Sequence, residues 1–306
     1  MALLVLAGCG TDRPGHDVAA APPPTASARP SAVTSAPARS QPPAPKPVQL
    51  PLGGTTIFPA DRVVAYYGTA GNPTLGVLGE GSPDAMLPKL RKAARGFSGG
   101  RKIQVAYELI ASVAQAGPGK DGDYSQMIDM AKIQRYVDQA RRNKVLVILD
   151  LQPGRGNFLP QARQLERFLI QPHVGIALDP EWRLPPGKVP GKTIGTVRAA
   201  EVNSVSAYVS GLVTQHRLPQ KLFVLHQFRA SMLPDVQQVR QRTGLAMVQH
   251  VDGFGTRSEK DATWNRLRRP QKFHMGYKLF YDEDIKRYGP TDVLRFKPVP
   301  ELVSYQ

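Results

Sequence analysis

From residue 61 onward, short runs of apolar and β-branched residues alternate with longer stretches in which apolar residues recur every three or four positions. The short runs have the length and composition of buried strands, and the longer stretches have the periodicity of helices that cover a sheet. Strands are predicted at residues 62–67, 103–109, 145–150, 174–179, 222–226, 246–250, 273–279 and 302–305.

The helical stretches lie between these runs. Helices are predicted at residues 83–95, 125–142, 159–169, 199–214, 233–242 and 260–267, with a shorter one at 282–288. Eight strands with interleaved helices predict the α/β class and a (β/α)8 TIM-like barrel over residues 60–306. A doubly wound open sheet is the alternative. Its first turn would carry a glycine fingerprint for a dinucleotide, which residues 68–73 do not match.

The N-terminal part of the chain has a different composition. Residues 10–59 consist largely of Pro, Ala, Ser and Thr, with almost no aromatic or long aliphatic residue before Val48. Such a segment cannot bury enough apolar surface to offset its conformational entropy. We therefore expect a disordered, semi-rigid spacer ahead of the barrel.

The chain contains a single cysteine, Cys9, at the end of Leu6-Ala7-Gly8-Cys9. This motif follows a short apolar run and resembles the lipobox of bacterial lipoproteins. The resemblance implies a signal segment at residues 1–9, acylation of Cys9, and a lipid anchor on the extracytoplasmic face of the cell membrane. Only eight residues precede Cys9 and none is basic, whereas export signals carry a basic n-region. We therefore expect translation to start upstream of Met1.

Charge and cysteine content narrow the choice of partner. The formal net charge of +16 favours anionic polymers and lipid headgroups. The basic residues are scattered rather than laid along one helix, so no nucleic-acid partner is predicted. A lone cysteine excludes intramolecular disulfides and cysteine-rich zinc sites. No metal and no cofactor are predicted.

The candidate chemistry lies at the strand ends, because barrel enzymes place their reactive groups at the C-terminal ends of the strands. Asp179-Pro180-Glu181 follows the fourth predicted run. Side-chain alternation predicts that both carboxylates point to the barrel mouth with Pro180 turned outward. Mutual repulsion should raise the pKa of one of them, which supplies a general acid beside a charged partner. Glycoside hydrolysis requires such a pair.

This strand-four Asp-x-Glu resembles the glycoside hydrolases of the lysozyme and chitinase barrel families. The resemblance implies that Glu181 is the general acid, that Asp179 orients a substrate group, and that Asp150 is a third acidic member. The longer Asp-rich signature of the chitinase type is absent from residues 175–178. Substrate-binding side chains are expected at the other strand ends: Trp182, Tyr66, Tyr67, Glu108, Gln152, His226, Gln249, Asp252 and Tyr281.

Two other interpretations of these residues stay open at this point. The acidic pair could instead be neutralised by a neighbouring arginine, such as Arg155 or Arg183. The second interpretation is a metal site built from residues on successive strands, although the first strand lacks a His-x-His pair; its ligands would be His226, His250, Asp252 and Asp150.

Two functions are consistent with the whole pattern. The first is an exported lipoprotein whose glycoside-hydrolase-like barrel cleaves a cell-envelope or extracellular polysaccharide. The second is a noncatalytic lipoprotein that uses the barrel mouth to bind a glycan or a protein. Both predict an aromatic-lined cleft, but only the first requires the proton of Glu181.

Overall fold

The structure is a computed structural model that describes residues 47–306. The motif ending in Cys9 and most of the predicted spacer lie outside the described residues. Within the described range the strands are β1 Asp61–Gly68, β2 Lys102–Ala114, β3 Ser125–Met127, β4 Leu146–Leu151, β5 Val174–Leu178, β6 Lys221–Gln227, β7 Leu245–Val251, β8 His274–Leu279 and β9 Leu302–Tyr305.

Eight of these strands form a closed parallel barrel. Strand β1 pairs in parallel with both β2 and β9, and each remaining neighbour in the order β2-β4-β5-β6-β7-β8-β9 is also parallel. The short β3 lies outside the barrel, antiparallel to the end of β2. The predicted TIM-like barrel is confirmed, and the strands fall on the eight predicted runs.

Helices surround the barrel. They are α1 Pro83–Ala94, α2 Met130–Asn143, α3 Phe158–Gln164, α4 Glu166–Leu169, α5 Ala199–Gln215, α6 Arg257–Leu267 and α7 Pro290–Val293. Within the described range, no helix combines the length and the apolar content needed to cross a membrane.

Side chains on each strand alternate between the barrel interior and the helix layer, as the two-residue repeat of a strand requires. Val63 belongs to the interior cluster, whereas Val64 packs in the larger cluster under the helices. Leu50, Ile57 and Phe58 join the interior cluster. The folded part therefore includes residues N-terminal to the predicted boundary at residue 60.

Four predicted helices differ from the observed elements. The one at 159–169 is divided into α3 and α4 at Leu165. The segment at 125–142 begins as β3, and the helix starts only after Asp129, whose side chain accepts the Ala131 amide. The predicted helix at 233–242 is reduced to one turn of 3-10 helix, Val236–Gln238, because Leu233 before it (φ −146°, ψ 75°) and Val239 after it (φ −63°, ψ 128°) have non-helical backbone angles. The short helix at 282–288 is also absent, and Lys286 there has a φ of 57°, which a right-handed helix excludes.

Candidate active site

A pocket of about 480 Å³ opens at the C-terminal ends of the barrel strands. Each of the eight parallel strands, or the residues directly after it, contributes to the lining. Six of the predicted site residues line this pocket: Tyr67, Gln152, Asp179, Glu181, Trp182 and Asp252. A larger cavity, about 930 Å³, lies beside the segment at 115–127, but it has no aromatic lining residue.

Asp179-Pro180-Glu181 forms a turn rather than an extension of β5. The strand ends at Leu178, and Pro180–Trp182 is one turn of 3-10 helix. The Glu181 amide donates a hydrogen bond of 3.1 Å to Oδ1 of Asp179, which caps this turn. Strand alternation was therefore the wrong reason for expecting the two carboxyl groups at one mouth. The turn brings both to the pocket, with Pro180 buried beneath them.

The surroundings favour the protonated form of both carboxyl groups. Burial, and then the negative charge of Asp252, raises the pKa of Glu181 to about 7. Burial, assisted by the charges of Asp150 and Glu181, raises the pKa of Asp179 well above its usual range. Glu181 thus combines exposure to the pocket with a proton affinity suited to general acid catalysis near neutral pH.

The neighbouring arginines do not neutralise this pair. Arg183 forms an ion pair of 3.1 Å with Glu201. The Arg155 guanidinium lies 4.2 Å from the centre of the Tyr124 ring and donates to the Lys188 carbonyl. The alternative in which Arg155 or Arg183 holds the acidic pair is therefore wrong.

A charged network lies directly below the pocket, centred on His226, which is fully buried. Its Nδ1 atom is 2.9 Å from Oδ2 of Asp252, and its Nε2 atom is 3.0 Å from Oε1 of Glu108. Burial opposes the charge of the imidazolium, but these two hydrogen bonds outweigh it and raise the pKa of His226 well above its ordinary value.

The same interaction keeps the two partner carboxylates ionised. Burial alone would raise the pKa of Asp252 and of Glu108, yet the hydrogen bond and charge of His226 lower both. Asp252 lines the pocket, whereas Glu108 is covered. The pocket therefore presents a protonated carboxyl group, Glu181, together with an ionised one, Asp252.

Asp150 lies under the pocket floor rather than in its lining. It is fully buried, and its Oδ2 atom accepts a hydrogen bond of 3.0 Å from the Tyr67 hydroxyl. The Gln152 side-chain amide in turn donates to the Tyr67 oxygen at 3.2 Å. Burial is the main reason that the pKa of Asp150 rises to about 6. The geometry places Asp150 where it can orient Tyr67, without a direct path to a ligand.

Three predicted binding residues point away from the pocket. The hydroxyl groups of Tyr66 and Tyr281 are 3.2 Å apart in an aromatic cluster outside the barrel. Gln249 donates to Oε1 of Gln227 and to the Leu267 carbonyl. Since adjacent strand residues face opposite sides, the inward position of Tyr67 requires that Tyr66 face outward.

The predicted binding residues do not include the basic side of the pocket, although Lys278 is among the polar residues that close the predicted strands. Lys278 lines the pocket near the end of β8, and its Nζ atom is 3.4 Å from the centre of the Tyr67 ring. The signal was present, because a lysine in an otherwise apolar buried strand requires a specific reason. Arg229 and Arg266, together with Phe228, Phe254 and Phe280, complete this part of the lining.

The alternative of a metal site does not match the arrangement. Both ring nitrogens of His226 face carboxylate oxygens, and Nε2 of His250 is 2.7 Å from the Ser304 hydroxyl. Nδ1 of His250 has no hydrogen-bond partner among the described residues, but it faces Gly276 rather than the pocket. Across residues 47–306, no group of three or more His, Cys, Asp or Glu side chains is arranged to hold a metal ion.

Neither a protein-family model nor a curated protein sequence matches this chain. Among solved structures, a mutant of catalytic domain 2 of the Ostrinia furnacalis group II chitinase, in complex with penta-N-acetylchitooctaose, is similar. The identity is 12%, the TM-score is 0.39, and the match covers 73% of this chain and 64% of that one. This chain thus spans less than two thirds of the length of that domain. A superposition this loose transfers no residue role, and the strand pairing above is what establishes the barrel.

Proposed function

We propose that this barrel is a glycoside hydrolase that acts on a cell-envelope or extracellular polysaccharide, with Glu181 as its general acid. One observation carries the proposal: a carboxyl group with a pKa of about 7 lines a pocket that also contains an ionised carboxylate. Glycosidases use two carboxyl groups whose surroundings separate their pKa values in this way.

In the proposed reaction, Glu181 donates its proton to the glycosidic oxygen as the bond from that oxygen to the anomeric carbon breaks. Positive charge develops on the sugar ring, and Asp252, which His226 keeps ionised, stabilises it. A water oxygen then bonds to the anomeric carbon. The Glu181 carboxylate takes the proton that this water loses, which restores the protonated form of Glu181 and leaves Asp252 ionised.

The pocket walls suit a sugar ring. Trp182 follows Glu181 directly in the 3-10 turn, and Phe228 and Phe254 lie after the neighbouring strands β6 and β7. Aromatic faces bind the apolar face of a sugar while leaving its hydroxyl groups free for polar partners. Asp179 supplies such a partner, since its protonated carboxyl group can donate a hydrogen bond.

The experiment compares residues 47–306 with the Glu181→Gln variant, using Glu80→Gln as a matched change at an exposed carboxylate. Each protein is incubated with peptidoglycan and a panel of polysaccharides, and new chain ends are detected by mass spectrometry. Cleavage by the wild type and by Glu80→Gln, but not by Glu181→Gln, supports the proposal. Cosedimentation of all three proteins with one glycan, without new ends, contradicts hydrolysis and favours the noncatalytic glycan-binding lipoprotein.

The membrane location is a separate part of the proposal and rests on the motif that ends in Cys9. We expect the full chain, expressed with an upstream export signal, to fractionate with membranes and to incorporate a labelled fatty acid. Cys9→Ala should release the protein from the membrane and abolish labelling. Equal membrane retention of Cys9→Ala would contradict the lipid anchor.

A further inference from the structure

Lys278 has an unusual environment for a buried lysine. Its side chain lines the pocket, and the residue is only 3% exposed. In the described part of the chain, no carboxylate lies within ion-pair distance of its Nζ atom and no oxygen accepts a hydrogen bond from it. Its close contacts are the faces of two aromatic rings, Tyr67 at 3.4 Å and Phe280 at 5.4 Å. A buried ammonium group without a polar partner is costly, and this one is directed at a ligand space.

Other buried lysines of this protein are satisfied within the fold. Lys221 donates to two backbone carbonyls, at 2.7 and 2.8 Å. Lys260 donates to two carbonyls and forms an ion pair of 2.9 Å with Asp284. Lys221 and Lys260 therefore have polar partners within the fold, and Lys278 is the exception among these three.

Within the described residues, no carboxylate pairs directly with Lys278, although its charge acts on the ionised Glu108 and Asp252 as well as on Glu181. Asp252 is bound to His226, and the surroundings of Asp179 and Glu181 favour their protonated forms. Lys278 nevertheless lies near enough to Glu181 and Asp252 that its positive charge lowers their pKa values. It is thus positioned beside the proposed general acid.

The pocket rim adds two further cations. Arg229 and Arg266 are exposed lining residues, and neither forms an ion pair within the described range. Arg229 lies near enough to Glu181 to lower its pKa, so it borders the same part of the pocket as Lys278. Three cations thus line one pocket, together with Glu283, an exposed carboxylate that forms an ion pair with none of them.

We propose that this pocket selects an acidic glycan, and that Lys278 and Arg229 bind the carboxylate of a uronic-acid-type sugar beside Glu181. The choice of a sugar as the ligand rests on the proposed function. The anionic character of the ligand rests on Lys278 and the arginines alone. A carboxylate accepts charge-assisted hydrogen bonds from both ammonium and guanidinium groups, and it supplies the polar partner that Lys278 lacks.

The test measures equilibrium binding by isothermal titration calorimetry. The ligands are oligogalacturonate and hyaluronan oligosaccharides, each paired with its methyl ester, which keeps the sugar and removes the charge. The Glu181→Gln variant is used so that no ligand is cleaved. We expect at least one acid to bind about tenfold or more tightly than its ester, with a preference that weakens as salt is added. Equal binding of acid and ester in both pairs would overturn the proposal.

Substitutions then assign the residues. Introducing Lys278→Met into the Glu181→Gln protein should remove the preference for the acid. The affinity for the ester should stay within about twofold of that of Glu181→Gln alone, because the apolar stem is retained. Lys192→Met, at an exposed position outside the pocket, is the matched control. If Lys278→Met does not fold, Arg229→Gln at the exposed rim should still reduce the preference. If Lys278→Met and Arg229→Gln both fold and each keeps the full preference for the acid, the proposal is also overturned.

The outcome is distinguishable from that of the hydrolase assay. A preference for the acid in a wild-type protein that cleaves nothing supports the anionic subsite and contradicts hydrolysis. Cleavage of a neutral glycan without any preference for an acid supports hydrolysis and contradicts the anionic subsite.

Discussion

The Nδ1 atom of His226 lies 2.9 Å from Oδ2 of Asp252, the residue directly after the neighbouring barrel strand β7. On its other side the same imidazole is 3.0 Å from Glu108. A single buried cation therefore bridges two carboxylates at the centre of the barrel. This bridge explains how Asp252 stays ionised in the same pocket in which Glu181 holds its proton.

Removing that cation should destabilise the fold. We expect His226→Gln to lower the free energy of unfolding by about 3–5 kcal/mol, because two buried carboxylates lose their counter-charge. Urea denaturation at pH 7 measures the change. The control His216→Gln, at an exposed helix end, should stay within about 0.5 kcal/mol of the wild type. A loss below about 1 kcal/mol for His226→Gln would show that the bridge does not exist as described.

Replacing Glu181 should change how stability depends on pH. In the native state its carboxyl group keeps a proton up to about pH 7, whereas in the unfolded chain it ionises near 4.5. The stability that this group contributes is thus full below pH 4.5 and is lost as the pH rises through 7.

Glu181→Gln cannot titrate and should escape this loss. Between pH 4 and 8 its stability should rise relative to the wild type by about 2–3 kcal/mol. Chemical denaturation across that pH range measures the difference. A Glu181→Gln difference that is constant with pH would mean that Glu181 titrates normally in the native state.

Gly276 is required by close packing inside the barrel. A Cβ atom there would lie 2.2 Å from Nδ1 of His250 and 3.0 Å from the Val248 side chain. We expect Gly276→Ala to lower the free energy of unfolding by about 2–3 kcal/mol. Gly211→Ala, in α5 with no atom near the new methyl group, should instead raise it by about 0.5–1 kcal/mol. Thermal unfolding of Gly276→Ala and Gly211→Ala compares the two changes in stability. Equal changes would contradict the close packing around Gly276.

Phe254 should matter for glycan binding and not for stability. It is 63% exposed and lines the pocket, whereas Ile285 is 60% exposed and lies outside it. We expect Phe254→Ala to weaken binding by roughly 2- to 10-fold, measured with a glycan that the wild type cleaves or cosediments with. Ile285→Ala should leave the affinity unchanged. Equal affinities of the two variants would show that Phe254 does not contribute to glycan binding.

The barrel could be predicted from the sequence because its strands are apolar runs of fixed length, and each run remained a strand. Side-chain direction could not be predicted as well, because a shift of one residue reverses it. The sequence predicts both Tyr66 and Tyr67 as binding residues, yet only Tyr67 faces the pocket.

Two features of the site depend on long-range contacts that a single sequence does not contain. The raised pKa of Glu181 comes from burial first and from the negative charge of Asp252 second, and not from repulsion by the adjacent Asp179 that the sequence predicts. The importance of Lys278 depends on its surroundings, since only the fold shows that no carboxylate among residues 47–306 forms an ion pair with it.

The central claim is that Glu181 carries a proton near neutral pH, and this can be measured without a substrate. The carboxyl group is titrated by NMR in protein labelled with ¹³C-glutamate, and its signal is assigned by its absence from Glu181→Gln. We predict a midpoint of about pH 7, which Asp252→Asn should move to lower pH by removing a negative charge. A midpoint near 4.5, the ordinary value, would contradict the role of Glu181 as the general acid.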